Sequence, residues 1–110
     1  MKLHLEQVIP VMLIAAERPL HNEWSAAEPV CREQMTHIAE EIAVIQAQHA
    51  SAWMGRDDSR DALHVVRERA VTRLAELKGV DHAKAEFAVD YALYAVNGIV
   101  NQAVGFHLIE

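Results

Sequence analysis

The chain has 110 residues, a formal net charge of −6, 52% hydrophobic residues and 5% aromatic residues. This length corresponds to one domain, 1–110, and four glycines with three prolines are too few for the turns of an all-β fold. Because nucleic acids and anionic membranes bind basic surfaces, the negative charge argues against direct partners of either kind.

The first predicted element is a short helical segment near 4–17. Pro10 lies inside it and lacks a backbone N–H, so the segment is helical either on both sides of Pro10 or only after it. Pro19, in the run RPLHNEWSAAEP, ends the segment. The N-terminal region therefore contributes one short helical segment to the fold.

The second predicted helix spans about 28–54 and starts either from an N-cap at Ser25, with Glu28 as its capping-box partner, or at Pro29. Its apolar positions recur at alternating spacings of three and four residues, the pattern of a coiled-coil seam. This pattern predicts that one side of the helix is buried along its length. The seam consists of Cys31, Met35, Ile38, Ile42, Ile45, His49 and Ala52.

Two seam residues are chemically distinctive. Cys31 is the only cysteine, which excludes an internal disulfide framework and suits a reducing compartment, so we expect a cytoplasmic protein with an unreactive thiol. His49 has two open roles: a core histidine that donates a hydrogen bond, or a polar register residue or proton-sensitive switch at an interface. Trp53 and Met54, just beyond His49, are expected to close the end of the bundle.

A third predicted helix spans about 59–78. Gly55 and the residues Arg56-Asp57-Asp58-Ser59 predict a helix end, a short turn and a new N-cap. The apolar face of this helix is narrower than the seam of the second. Its members are Leu63, Val66, Ala70, Leu74 and Leu77.

The run Lys78-Gly79-Val80-Asp81 predicts the next turn. Gly79 suits the left-handed position after a helix, Val80 can fold back onto that helix, and Asp81 can cap the next one. The fourth predicted helix then spans about 81–108.

The stretch YALYAVNGIVNQAVGFHLI, within the fourth predicted helix, contains no Asp, Glu, Lys or Arg over nineteen residues. A helix that is apolar on several sides must be covered on each of them. The fourth predicted helix has two apolar faces, with Ala85, Ala88, Ala92, Ala95 and Ile99 on one side and Val89, Leu93, Val96, Val100 and Val104 on the other. Two apolar faces need two sets of neighbours, which are the rest of the monomer and either the N-terminal segment or a second chain. We therefore predict an all-α, up-and-down bundle of three long helices plus a short N-terminal helical segment, assembled as a homodimer around the fourth helix.

A polar stripe along the fourth helix suggests where that interface lies. Buried amides need hydrogen-bond partners, and small residues allow two backbones to approach. The stripe could instead line a pocket or face solvent. The predicted interface residues are Tyr94, Asn97, Gly98, Asn101 and Gly105, with His49 from the second helix.

An alternative prediction uses two pairs of acids, Glu40 with Glu41 and Glu86 with Asp90. Carboxylates on two helices can hold Mg²⁺ against a phosphate. The pairs resemble in part the MazG-type all-α nucleotide pyrophosphohydrolases, which use a Glu-Glu-x-x-Glu run on one helix and a Glu-x-x-Asp run on another. Here no third acid follows Glu40-Glu41 at that spacing, and Glu86 and Asp90 are four apart rather than three.

These observations favour a small interaction or regulatory protein that binds protein as a homo-oligomer, with neither catalysis nor a cofactor. A magnesium-dependent pyrophosphohydrolase-like enzyme using Glu40, Glu41, Glu86 and Asp90 is the alternative.

Overall fold

A computed structural model describes residues 3–109. Within that range the chain forms five α-helices and no strand. A short 3₁₀ turn, His21–Glu23, leads directly into the second helix. The helices are α1 (Leu5–Glu17), α2 (Trp24–Ala50), α3 (Arg56–Ala75), α4 (His82–Ala95) and α5 (Asn97–Val104).

The first four helices pack as an up-and-down bundle in which each helix contacts two neighbours. α1 packs against α2 and α4, and α3 packs against the same two helices from the other side. α5 lies against α2 beyond the end of α4. The predicted fold class is confirmed. α1 packs along two neighbouring helices as the other three helices of the bundle do, instead of being an accessory segment.

α1 is helical on both sides of Pro10. Pro10 lies in the second turn and is exposed, so its ring meets solvent rather than a neighbouring helix. The opposite side of α1 enters the core. Its buried residues are Val8, Met12, Leu13 and Ala16.

α2 starts earlier than the sequence pattern indicated, at Trp24. The predicted Ser25 cap is therefore wrong, because Ser25 lies inside the helix and Glu28 pairs with Arg32, at 2.6 Å. The predicted seam is confirmed from Cys31 to Ile45, whose five members are all fully buried. It does not reach Ala52, which lies beyond the helix with a φ of 61°.

The two turns that flank α3 follow different local rules. Gly55 itself is the N-cap of α3, and Ser59, predicted within that cap, is instead a buried helix residue whose hydroxyl donates to the Gly55 carbonyl. The second turn is as predicted: Gly79 adopts a φ of 84°, and Val80 is buried. The Asp81 carboxylate accepts a hydrogen bond from the Lys84 amide at 2.8 Å, which caps α4.

The fourth predicted helix is not continuous. α4 ends at Ala95, Val96 takes the non-helical angles φ −108° and ψ 5°, and α5 ends at Val104, with Gly105 as its C-cap at a φ of 89°. Beyond the break, α5 packs against α2, and Val96 itself stays buried.

The valines of this uncharged stretch are covered by their own chain. The inner sides of α4 and α5 pack against the other helices and leave no valine of either helix exposed. Burial of these valines therefore does not require a second copy. The buried residues of the predicted apolar faces are Ala85, Ala88, Val89, Ala92, Leu93, Val96, Val100 and Val104.

Candidate protein-binding face

The outer sides of α1 and α4 carry large apolar side chains that no helix within residues 3–109 covers. Ile14 on α1 and Tyr94 on α4 are each 72% exposed, and neighbouring side chains extend the patch along both helices. Spacings of three and four residues place the members on one side of each helix. We call this surface the α1–α4 face; it consists of Val11, Ile14, Phe87, Tyr91 and Tyr94.

Tyr91 and Tyr94 form a ridge between two grooves. The groove on the α1 side has a volume of about 450 Å³ and is lined mainly by apolar side chains, with Arg18 as its one charged lining residue. The groove on the α3 side has a volume of about 720 Å³ and includes Arg67 and Asp90. Both tyrosines line both grooves. The face is thus an open surface with a raised aromatic centre.

The aromatic side chains are held by their neighbours on α4. Phe87 and Tyr91 are one helical turn apart, and their rings meet edge to face with centroids 6.2 Å apart. Edge-to-face contacts between aromatic rings at this distance are favourable. Large aromatic groups that are ordered before binding lose less conformational entropy when a partner covers them.

Arg67, on α3, organises the charges beside the ridge. Its guanidinium donates to both Asp90 oxygens, at 3.0 and 2.9 Å, to Glu86 at 3.3 Å, and to Glu68. The hydrogen bond to Asp90 is the main cause that raises the pKa of Arg67. One cation thus faces three carboxylates, and this side of the face has an excess of negative charge.

The four carboxylates of the magnesium alternative lie in two separate places. Glu86 and Asp90 pair with Arg67, whereas Glu40 and Glu41 line a groove of about 230 Å³ that does not include the other two. Nowhere in residues 3–109 do three or more His, Cys, Asp or Glu side chains group closely enough to hold a metal ion. The magnesium site therefore stays a prediction from the sequence.

The predicted interface residues are not brought together. Tyr94 belongs to the α1–α4 face, whereas Asn101, on α5, binds the C-terminal residues of the same chain. Its side-chain oxygen accepts from the amides of Leu108 and Ile109, at 3.0 and 2.9 Å, and its nitrogen donates to the Ile109 carbonyl at 2.9 Å. Asn101 therefore fixes the C-terminal tail against the bundle.

His49 also has partners within the chain. Its Nδ1 atom donates to the Met54 carbonyl at 3.0 Å, and its ring lies 4.5 Å from the ring of Phe106. These contacts match the role of a histidine that donates inside the bundle. Trp53 does not close the bundle as predicted, because it is 86% exposed at the turn between α2 and α3.

The glycines and Asn97 of the predicted interface lie near α5. Gly98 is exposed, with no atom within 4 Å of the position of an added Cβ, and Gly105 is exposed in a left-handed conformation. Asn97 is half-buried at the start of α5. Within one chain, none of these three residues mediates a close approach of two helices.

Sequence reasoning missed most of the α1–α4 face. The spacing of Phe87, Tyr91 and Tyr94 was visible in the sequence, but their exposure was not. Val11 and Ile14 gave no signal, because the sequence does not show that α1 lies beside α4. Cys31 was placed correctly: it is buried, and burial, with a contribution from Glu28, raises the pKa of its thiol to about 12.

Comparison of the chain with protein-family models, with curated proteins and with solved structures finds no match. None of the helices within residues 3–109 combines the length and apolar character needed to cross a membrane. The α1–α4 face is therefore the feature of the molecule from which a function can be proposed.

Proposed function

We propose that this chain is a small cytoplasmic interaction or regulatory protein that acts by binding protein, and that it assembles as a homodimer through the α1–α4 face. The observation that carries the proposal is the exposed aromatic and aliphatic surface around Tyr94. Contiguous apolar surface of this kind marks interaction sites, and tyrosine is enriched among the residues that dominate binding energy.

The shape and polarity of the face favour a protein partner over a small molecule. Small-molecule sites are concave and carry a few polar groups directed at the ligand. Here the centre is the raised ridge of Tyr91 and Tyr94, and the nearest strong polar groups, Arg67 and Asp90, bind each other. Helices of a protein partner can pack on both sides of this ridge and cover the two grooves, whereas a compact ligand would cover only part of this surface.

A second copy is the partner that this face suits best. An isologous dimer places the same patch on both subunits, so one apolar surface supplies both halves of the interface. The face consists of two antiparallel helices, 13 and 14 residues long, or roughly 20 Å each. In the dimer, α1 and α4 of one copy pack against α1 and α4 of the other, so that four helices meet at the interface.

The test is the molar mass of the purified protein by size-exclusion chromatography with light scattering at micromolar concentrations. We expect twice the chain mass of 12.3 kDa for the wild type and a monomer for Tyr94→Glu, since the carboxylate would be buried at the centre of the interface. Circular dichroism verifies that the variant keeps its helix content.

Trp53→Glu is the matched control, because Trp53 is also exposed but lies at the turn between α2 and α3. We expect this variant to remain dimeric. A monomeric wild type would contradict self-association. Loss of the dimer with Trp53→Glu but not with Tyr94→Glu would show that the interface lies elsewhere than the α1–α4 face.

A further inference from the structure

The two sides of the tyrosine ridge carry opposite charge. On the α1 side, Arg18 is exposed along the groove, and its guanidinium has no ion-pair partner among residues 3–109. The adjacent Glu17 lines a different groove, on the α2 side of α1. The Arg18 guanidinium therefore lies beside the apolar surface without a carboxylate partner from residues 3–109.

On the α3 side, the carboxylates outnumber the guanidinium that binds them. Glu68, Glu86 and Asp90 all contact Arg67, yet the side chains of Glu86 and Asp90 remain 42% and 53% exposed. His82 approaches Glu86 at 3.1 Å from the same helix. Asp90 keeps enough exposed surface to accept a second cation.

The remaining basic groups on this side already have partners. Arg60 donates to the His107 carbonyl at 3.0 Å and lies over the ring of Phe106, and His64 lies 3.9 Å from Glu68. A further cation that pairs with Asp90 and Glu86 therefore has to come from another molecule.

We propose that, in the homodimer, Arg18 of each copy pairs with Asp90 and Glu86 of the other, across a two-fold axis that runs along α4. This inference rests on the proposed self-association through the α1–α4 face. An axis parallel to α4 over the ridge of Tyr91 and Tyr94 places the α1 side of one copy on the α3 side of the other.

The charges select this arrangement over the alternative one. If the two-fold axis instead lay in the plane of the interface but perpendicular to α4, the two α1 sides would face each other, and so would the two α3 sides. Arg18 would then lie over apolar surface, and the acids of the two copies would face each other. Like charges that face each other across an interface disfavour the wrong arrangement. The two α4 helices accordingly run parallel in the dimer.

The experiment uses charge reversal with mixing. In a dimer of either single variant, Arg18→Glu or Asp90→Arg, like charges face each other at both symmetry-related contacts. We expect each variant to raise the dimer dissociation constant roughly tenfold or more. An equimolar mixture of the two variants forms heterodimers in which both contacts join opposite charges. We expect the mixture to regain dimers of near wild-type affinity, measured by sedimentation.

Glu17→Lys is the control, since Glu17 is adjacent to Arg18 but faces the α2 side; it should leave the dissociation constant unchanged. A monomeric wild type overturns the proposed function together with this inference. A dimeric wild type whose two variants show unchanged affinity, or are not rescued by mixing, overturns this inference alone.

A cross-linking measurement covers the case in which Asp90→Arg fails to fold because it places a second guanidinium beside Arg67. Chains with Arg18→Cys are mixed with chains with Asp90→Cys under oxidation, while buried Cys31 stays out of the reaction. Cross-links between the two kinds of chain support the parallel arrangement. Dimerisation without such cross-links, or cross-links of Arg18→Cys chains with each other, overturns it.

Discussion

The seam of α2 and the α1–α4 face use similar apolar side chains but lie in opposite environments. Ile38 and Ile42 on the seam are fully buried, whereas Ile14 and Tyr94 on the face are each 72% exposed. Both sets follow the helical spacing of three and four residues. The spacing shows which side of a helix is apolar, but not whether a neighbour covers it.

The difference arises from the number of neighbours that the chain itself supplies. α2 is packed by α1, α3 and α5, so its seam lies in the interior. α1 and α4 pack against each other and against α2 and α3, which leaves their outer sides at the edge of the bundle. A second subunit can cover the face only from outside, so the stability of the monomer and the affinity of the dimer should depend on different residues.

The largest expected effect tests that separation directly. Ile42→Ala should lower the free energy of unfolding by about 2–5 kcal/mol, because it leaves a cavity in a fully buried site. Ile14→Ala should change it by less than about 0.5 kcal/mol, since Ile14 is a surface residue in the monomer. Urea denaturation on a Tyr94→Glu background, which removes self-association, provides both values.

Equal losses for Ile42→Ala and Ile14→Ala on that background would show that the face is packed within the monomer.

The second effect concerns the tail that forms part of the α3-side groove. Asn101→Ala removes three hydrogen bonds to the backbone of Leu108 and Ile109, and should cost about 1–3 kcal/mol. Release of these two apolar residues would extend the apolar surface next to the face. Amide hydrogen exchange at Leu108 and Ile109 should accelerate.

Asn97→Ala is the matched control, since Asn97 lies at the start of α5 and makes none of these bonds. Unchanged exchange at the tail in Asn101→Ala would mean that packing alone holds the tail in place.

A smaller effect follows from the thiol of the seam. Cys31 ionises near pH 9 when unfolded but only near pH 12 when folded, because burial raises its pKa. The unfolded chain then releases a proton that the folded chain keeps, so stability falls as the pH rises above 9. Between about pH 8 and pH 10, the wild type should lose roughly 1 kcal/mol more than Cys31→Ala does.

The rate of thiol modification tests the same contrast between the buried seam of α2 and the exposed α1–α4 face. At neutral pH, Cys31 should react with a thiol reagent only as fast as the protein unfolds, whereas Ile14→Cys on the monomeric Tyr94→Glu background should add one thiol that reacts at once. Rapid reaction of Cys31 in the folded wild type would show that the seam is open to solvent.

The smallest effect distinguishes the α1–α4 face from the interface predicted near α5. Gly98→Ala should stabilise the chain by about 0.5–1 kcal/mol, because a helical glycine becomes alanine in open space. If the dimer uses the α1–α4 face, its dissociation constant should not change. Weaker association of this variant would indicate that a second copy approaches closely at Gly98.

Local signals predicted several features correctly. The seam from Cys31 to Ile45 followed from its spacing, and the turn at Gly79 and Asp81 from residue types that favour a left-handed position and an N-cap. Each depends on residues within about one helical turn. The caps at Ser25 and Ser59 were wrong because a helix can start earlier when packing supports its first turn, as it does for Trp24.

The site was predicted less completely than the fold. Tyr94 was identified, but Asn101 and His49 found partners within the chain, and Val11 and Ile14 became visible only beside α4. A polar residue in an apolar stretch indicates that some partner is needed. It does not tell whether that partner is the tail of the same chain or a second subunit.

The sequence by itself determined the helical class, the buried seam of α2 from Cys31 to Ile45 and the turn between α3 and α4, because these depend on helical periodicity and on residue conformation close along the chain. Only the tertiary structure decided that the fourth predicted helix breaks at Val96, that its valines are covered by their own chain, and that Tyr91 and Tyr94 remain exposed. These outcomes depend on contacts between residues far apart in the sequence, where the number of available neighbours decides which apolar surface is buried.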